Sequence, residues 1–253
     1  MRTTASHPGT TWQVLASLAT LLLVWHVVAA VADDRLFPTP LDVAATLLRE
    51  LAQGDLAWHL SVTLMRVAVS FAIAMAGGIA LGIALGRFAA LDRWARPWVV
   101  VALNVPALVV VILSYAWLGL VELALLVAVA ANKIPNVALT VREGARSLAR
   151  DLDEVAHVYR FGAFARLRHV ILPQLAPYLF ASARNGLALI WKIVLVVELL
   201  GRSSGIGFQL HALFQLFDVA AIVAYSVVFI GCVVAVEALV LGPLEARSVR
   251  WRR

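Results

Sequence analysis

Six apolar runs punctuate the chain, at about 12–32, 67–86, 98–119, 121–141, 177–200 and 219–242. Each matches the roughly 20 residues that a helix needs to cross a bilayer. Runs three and four nearly touch, parted only around Gly119 to Glu122. Between the runs the pattern changes. Residues 40–53, PLDVAATLLRELAQ, place apolar side chains at 41, 43, 44, 47, 48 and 51, which is the helical period and predicts a short surface helix. Residues 153–177, DEVAHVYRFGAFARLRHVILPQLAP, are polar, basic and helix-patterned too. In the second run Ala74, Gly78, Gly82 and Gly86 put a small residue at every fourth position, a row that lets another helix approach closely.

Charge gives the runs a direction. Arg87, Arg93 and Arg96 follow run two, six arginines lie in 142–172, and Arg247, Arg250, Arg252 and Arg253 close the chain. Segment 33–66 instead holds three basic and five acidic residues. Basic segments occupy every second loop, so both termini and the loops at 87–97 and 142–176 are expected in the cytoplasm, with 33–66 and 201–217 outside. Composition agrees: 62% of residues are hydrophobic and 14% charged, against about 25% charged in a soluble domain. The formal charge of +6 therefore reports cytoplasmic arginines and not a nucleic-acid surface. The run ending at VADDRLF lacks a small-residue cleavage site and reads as a retained first helix.

The segment at 153–177 has its own punctuation. Asp151 is placed to cap a helix, with Glu154 three residues on. Acidic residues open it and Arg160, Arg166 and Arg168 follow, an order that suits the helix dipole. Gly162 offers a break between two short helices, and Pro173 and Pro177 are expected to prevent simple continuation into the fifth run. A loop of this length with helices of its own points to docking.

Catalytic chemistry finds little support. Cys232 is the only cysteine, so no disulfide and no thiolate metal site exist. The six histidines show no ligand spacing and no phosphate loop is present. His169 reads as a contact residue. Gly201–Gly205, GRSSG, fits a nucleophile-elbow pattern but follows an apolar run, where a hydrolase has a strand. The chain has two lysines, Lys133 and Lys192, and both fall inside runs, about 18 Å and about 12 Å from the outer ends. A lysine facing lipid there costs about 3 kcal/mol. Each is expected to face the bundle interior, a wet path or a carboxylate, with Glu198 and Glu122 as inter-helix candidates.

The polar segment also resembles a known signature. Glu154-Val155-Ala156, then Arg160, then Val170, Leu172 and Pro173 follow the cytoplasmic motif of permease subunits of binding-protein-dependent ABC importers, with Arg160 where that motif has glycine and Gly162 two residues later. LFPTPLDVAATLLREL and GLALIWKIVLVVELLGRSSGIGFQL are similar to segments of the nitrate, sulfonate and taurine branch.

The resemblance implies an all-α membrane protein, with six transmembrane helices in one domain over 1–253 and a cytoplasmic coupling helix between spans four and five. The coupling loop is about 142–176 and the outer segment about 33–66. It implies ATPase coupling through Glu154, Ala156, Arg160, Gly162, Leu172 and Pro173. Charge inside the runs makes Lys133, Lys192 and Glu198 the candidate pathway residues for a small, anionic solute, with inter-helix pairs or snorkelling side chains as the alternative. The expected partners are two ABC ATPase subunits carrying ATP and magnesium, a second permease copy as a homodimer, a soluble substrate-binding protein and membrane lipid, but no nucleic acid. No cofactor and no metal are expected in this chain. The expected location is the bacterial cytoplasmic membrane. A transporter or channel acting without an ATPase is the alternative, and an intramembrane enzyme a remote one.

Overall fold

The computed structural model describes residues 8–32, 34–148, 154–156 and 158–243, and Asp151 and Asp153 lie outside them. Among the described residues there is no strand. The helices are α1 (Pro8–Ala32), α2 (Pro40–Gln53), α3 (Leu56–Arg87), α4 (Ala89–Asn104), α5 (Ala107–Leu118), α6 (Glu122–Arg146), α7 (Ala163–Arg166), α8 (Leu172–Gly201), α9 (Ile206–Gln215) and α10 (Val219–Val236). A π-helical turn at Leu167–Ile171 joins α7 to α8, and a second, Glu237–Leu241, extends α10.

By length and composition, Trp12–Ala32, α3, α6 and Val219–Val240 can cross a membrane. The expected third span is α4 and α5, bent by 97° and a fifth crossing only if the pair counts as one. The bend follows from Pro106: the residue before a proline is driven to extended backbone, and Val105 sits at ψ 124°. Helix α8 covers the expected fifth run but carries Arg184, Lys192 and Glu198, and it does not meet the same apolar criterion. The six expected spans are thus four, or five with the bent pair, by that measure.

The described residues form two compact units, Met1–Ala57 with Leu210–Phe229, and Trp58–Gln209 with Ile230–Arg253. In the first, α2 begins at a capping box. The Asp42 N–H donates to Thr39 Oγ1 at 3.3 Å, the Thr39 N–H donates to Asp42 Oδ2 at 3.0 Å, and Pro40 takes the first helical position. The helix predicted over 40–53 is therefore found with those bounds. Trp25 Nε1 donates to the Pro38 carbonyl at 3.1 Å, and the Tyr225 hydroxyl donates to Glu50 Oε2 at 3.1 Å.

In the second unit the glycine row of α3 lies against α6. A Cβ at Gly78 would sit 2.4 Å from Val137 Cβ, and one at Gly86 would sit 2.4 Å from Ala145 Cβ. Only glycine permits this approach. Around the seam Val137, Val141 and Ala145 of α6 are buried with Ile171 and Leu175, and Met75, Ile79 and Ile83 of α3 pack on them. Near the ends of α4 and α6, Asp92 binds Arg142, whose Nη2 donates to Asp92 Oδ2 at 2.6 Å. Arg142 is 2% exposed, so this pair holds the two basic segments of the sequence together.

Candidate functional site

Three features of the second unit bear on function. The first is a buried node of charge on α3. His59, Thr63, Arg66 and Ser70 fall on one face at helical spacing, and all four are buried. Arg66 spends its five donors. Nε and Nη2 reach Glu122 at 3.1 and 2.6 Å, Nη1 reaches Glu198 Oε1 at 2.8 Å, and Nη1 and Nη2 reach the Ser204 carbonyl and Oγ at 2.6 and 3.0 Å. Glu198, fully buried, also accepts from Thr63 Oγ1 and from the Gly207 N–H, both at 2.9 Å. The Ile206 N–H donates to Thr63 Oγ1 at 2.8 Å, the Gly205 N–H to His59 Nδ1 at 2.9 Å, and Arg202 Nη2 to Glu122 at 2.6 Å. Gly205 has φ +106° and lies against the Glu198 carboxylate, where no Cβ fits. The node ties the Gly201–Gly205 turn to α3, α6 and α8. Ser203 is exposed in that turn, between two helices.

This node is where Glu122 and Glu198 go, so neither is a lysine partner as the sequence suggested. Arginine's planar fork takes two carboxylates at once, which a lysine cannot match. The sequence reading missed Arg66, which precedes the second apolar run. The polar stripe 59, 63, 66, 70 was the available signal.

The second feature is a cavity of about 560 Å³ between the α4–α5 bend, α6 and α8, lined by both lysines. From α6 come Asn132, Lys133 and Asn136. Lys133 is 1% exposed, and its Nζ donates to Asn136 Oδ1 at 3.3 Å and to the Asn185 carbonyl at 3.5 Å. Gly186 on α8 makes room for it, since a Cβ there would lie 3.0 Å from Lys133 Cε. Among the described residues no carboxylate forms an ion pair with Lys133 or Lys192. Glu198 does not line this space, so the three pathway candidates divide between the two sites.

The third feature is the polar segment. Residues 154–156 are helical, and the Phe161 N–H donates to the Ala156 carbonyl at 2.9 Å around Arg160, whose φ is +50°. That is a left-handed helix stop, the conformation glycine favours. The break thus falls at Arg160, and Gly162 has φ −63° as the N-cap of α7. Glu154 is exposed while Ala156 is 2% exposed, so Ala156 is spent on packing within the chain. Leu172 and Pro173 begin α8, half-buried. Contrary to expectation, Pro173 and Pro177 do not interrupt the helix. The π turn ahead of Pro173 widens the coil where the ring and the missing N–H would otherwise break it. His169 Nδ1 lies 3.0 Å from the Ala165 carbonyl. Val155, Val158, Tyr159, Phe161 and Phe164 are exposed on this segment.

Comparison with known proteins adds a lineage. The sequence profile of the family described as "Binding-protein-dependent transport system inner membrane component" matches residues 78–244. The chain is 26% identical over 236 residues to the putative aliphatic sulfonates transport permease protein SsuC of Bacillus subtilis (strain 168), covering 92% of this chain and 85% of that one. It is 28% identical over 267 residues to the bicarbonate transport system permease protein CmpB of Synechococcus elongatus, covering 94% and 86%. It is 26% identical over 192 residues to the nitrate import permease protein NrtB of Leptolyngbya laminosa, covering 76% and 68%.

Proposed function

Because the chain belongs to the family of binding-protein-dependent transport system inner membrane components, we propose that it is the permease subunit of an ATP-driven importer for a small anion of the sulfonate, nitrate or bicarbonate kind. It crosses the bacterial cytoplasmic membrane six times with both termini inside, α4–α5 and α8 each counting as one crossing. Two copies form the pathway. Two ATPases, carrying ATP and magnesium, dock on the segment between α6 and α8, and a soluble binding protein delivers solute over 33–57 and 201–217. ATP-driven closure of the ATPases moves the docking segments and opens the bundle outward, and hydrolysis resets it.

The observation that carries this reading is the exposed set Val155, Val158, Tyr159, Phe161 and Phe164. It joins the residues that match the permease signature, and an apolar cluster on a charged segment marks a protein contact. Val158→Asp and Phe164→Asp should leave membrane insertion intact and abolish both co-purification with the ATPase and ATP-dependent uptake. Uptake that survives both substitutions would favour a transporter acting without an ATPase.

A further inference from the structure

The cavity of about 560 Å³ has the size of a small-molecule site, for which roughly 300–1,000 Å³ is usual. Its polar side chains are few, two lysines and two asparagines, with no carboxylate among them. Lys133 is buried, and the nearest partners of its Nζ are an amide oxygen and a carbonyl at long hydrogen-bond distance, so no carboxylate competes with an anionic ligand for it. Lys192 lies on the facing helix. The rest of the wall is hydrocarbon. Val105, Leu108 and Val111 come from the α4–α5 bend, and Leu189, Ile193 and Val196 from one face of α8.

We propose that this cavity binds a singly charged oxyanion bearing a short apolar tail, an alkyl sulfonate, and discriminates against both the bare anion and the zwitterion. The proposal rests on the chain being the permease of an anion importer, and it makes the permease a selectivity element of its own. The head group needs cationic and amide donors, which Lys133, Lys192, Asn132 and Asn136 supply. The tail needs a dry wall, which the proline-driven bend supplies. Nitrate or bicarbonate gives up its hydration without gaining the wall. An aminosulfonate brings an ammonium into a space with two lysines and no carboxylate, where Asn136 Oδ1 is already taken by Lys133 and the neutral Asn132 amide oxygen is left to meet it. A membrane phospholipid shares the anionic head and apolar tail, so the test must separate the two sources.

The test is calorimetric titration of the purified full chain in neutral phosphatidylcholine nanodiscs. Saturable binding of 1-pentanesulfonate is expected, with affinity rising roughly fourfold per methylene from methane- to pentanesulfonate. Nitrate, bicarbonate, taurine and 1-pentanol should show at least tenfold weaker binding. Lys192→Gln, at an exposed position that leaves the fold intact, and Lys133→Gln should each weaken pentanesulfonate binding about tenfold or more. A flat chain-length series, equal binding of nitrate or taurine, or unchanged binding by Lys192→Gln overturns the proposal. So does binding that disappears in discs containing phosphatidylglycerol, which makes this a lipid site. If the Val158 and Phe164 variants lose the ATPase while the series is flat, only the cavity assignment has failed.

Discussion

Arg66 Nη1 and Glu198 Oε1 stand 2.8 Å apart, although 132 positions separate them in the chain, and both are buried. Removing Arg66 strands the buried Glu198 carboxylate, since Glu122 keeps Arg202, and a stranded charge costs about 3–5 kcal/mol. Arg66→Met should therefore lower the thermal unfolding midpoint sharply in detergent, and Glu198→Ala should lower it less, because Arg66 keeps Glu122. The double variant Arg66→Met with Glu198→Leu should recover part of the Arg66→Met loss, because the stranded carboxylate is gone. Single variants that melt like the parent protein would show that the node contributes nothing.

Helix α3 meets α6 through glycine. Gly86→Ala puts a Cβ 2.4 Å from that of Ala145, and the overpacking should cost about 1–3 kcal/mol. Gly231 on α10 has open space around it, so Gly231→Ala should be neutral or stabilise the helix by up to about 1 kcal/mol. The two melting curves must diverge from the parent in opposite directions, or the second must coincide with it.

Arg160 carries backbone strain that glycine would not. Arg160→Gly should keep uptake and retain the turn. Arg160→Val, β-branched at φ +50°, should cost of order 1–3 kcal/mol of local stability. Gly162→Ala should change little, since its φ is negative and its Cβ position is empty. Hydrogen exchange at Phe161, whose N–H closes the turn, reads all three.

Sidedness can be read with single cysteines after Cys232→Ser. Ala45→Cys should react with an impermeant thiol reagent in intact cells, whereas Leu91→Cys and Ala165→Cys should react only after the membrane is opened. Labelling of Ala165→Cys from outside would remove the proposed docking segment from any cytoplasmic ATPase.

Asp42 is held below the usual carboxylate range by the hydroxyl and N–H of Thr39. A carboxyl with a lowered folded-state pKa contributes stability above its unfolded pKa and loses it as pH falls through the folded value. Protection of the first turn of α2 should therefore decline in acid, and Asp42→Asn should show the same loss at neutral pH.

Much of this architecture was legible because local rules governed it. Thr39, Pro40 and Asp42 state where α2 begins, and the glycine row states where two helices touch. The bend at Val105–Pro106 was not legible, because proline alone does not decide it: Pro97, Pro135 and Pro177 all sit inside helices. A helix survives its proline when the lost hydrogen bond is absorbed nearby, as the π turn does before Pro173, and that depends on tertiary context. The segment that carries the permease signature was recognisable, but Ala156 turned out to face its own chain. The charge node was hidden for another reason. Arg66, Glu122, Glu198 and Ser204 come from four places in the sequence, and only folding makes them neighbours.

The unbroken run from α7 through the π turn into α8 has a mechanical consequence. Helix α8 alone is about 45 Å long, with the exposed aromatics Tyr159, Phe161 and Phe164 ahead of one end, Lys192 along its shaft and the Glu198 node at the other. If an ATPase docks at Phe164 as proposed, such a rod would convert a sideways push there into rotation about the node. Lys192, nearer the node than the push, would travel a shorter arc, so the arrangement would be a reducing lever: a large stroke at Phe164 would become a small, stiff displacement of the lysine that faces the cavity.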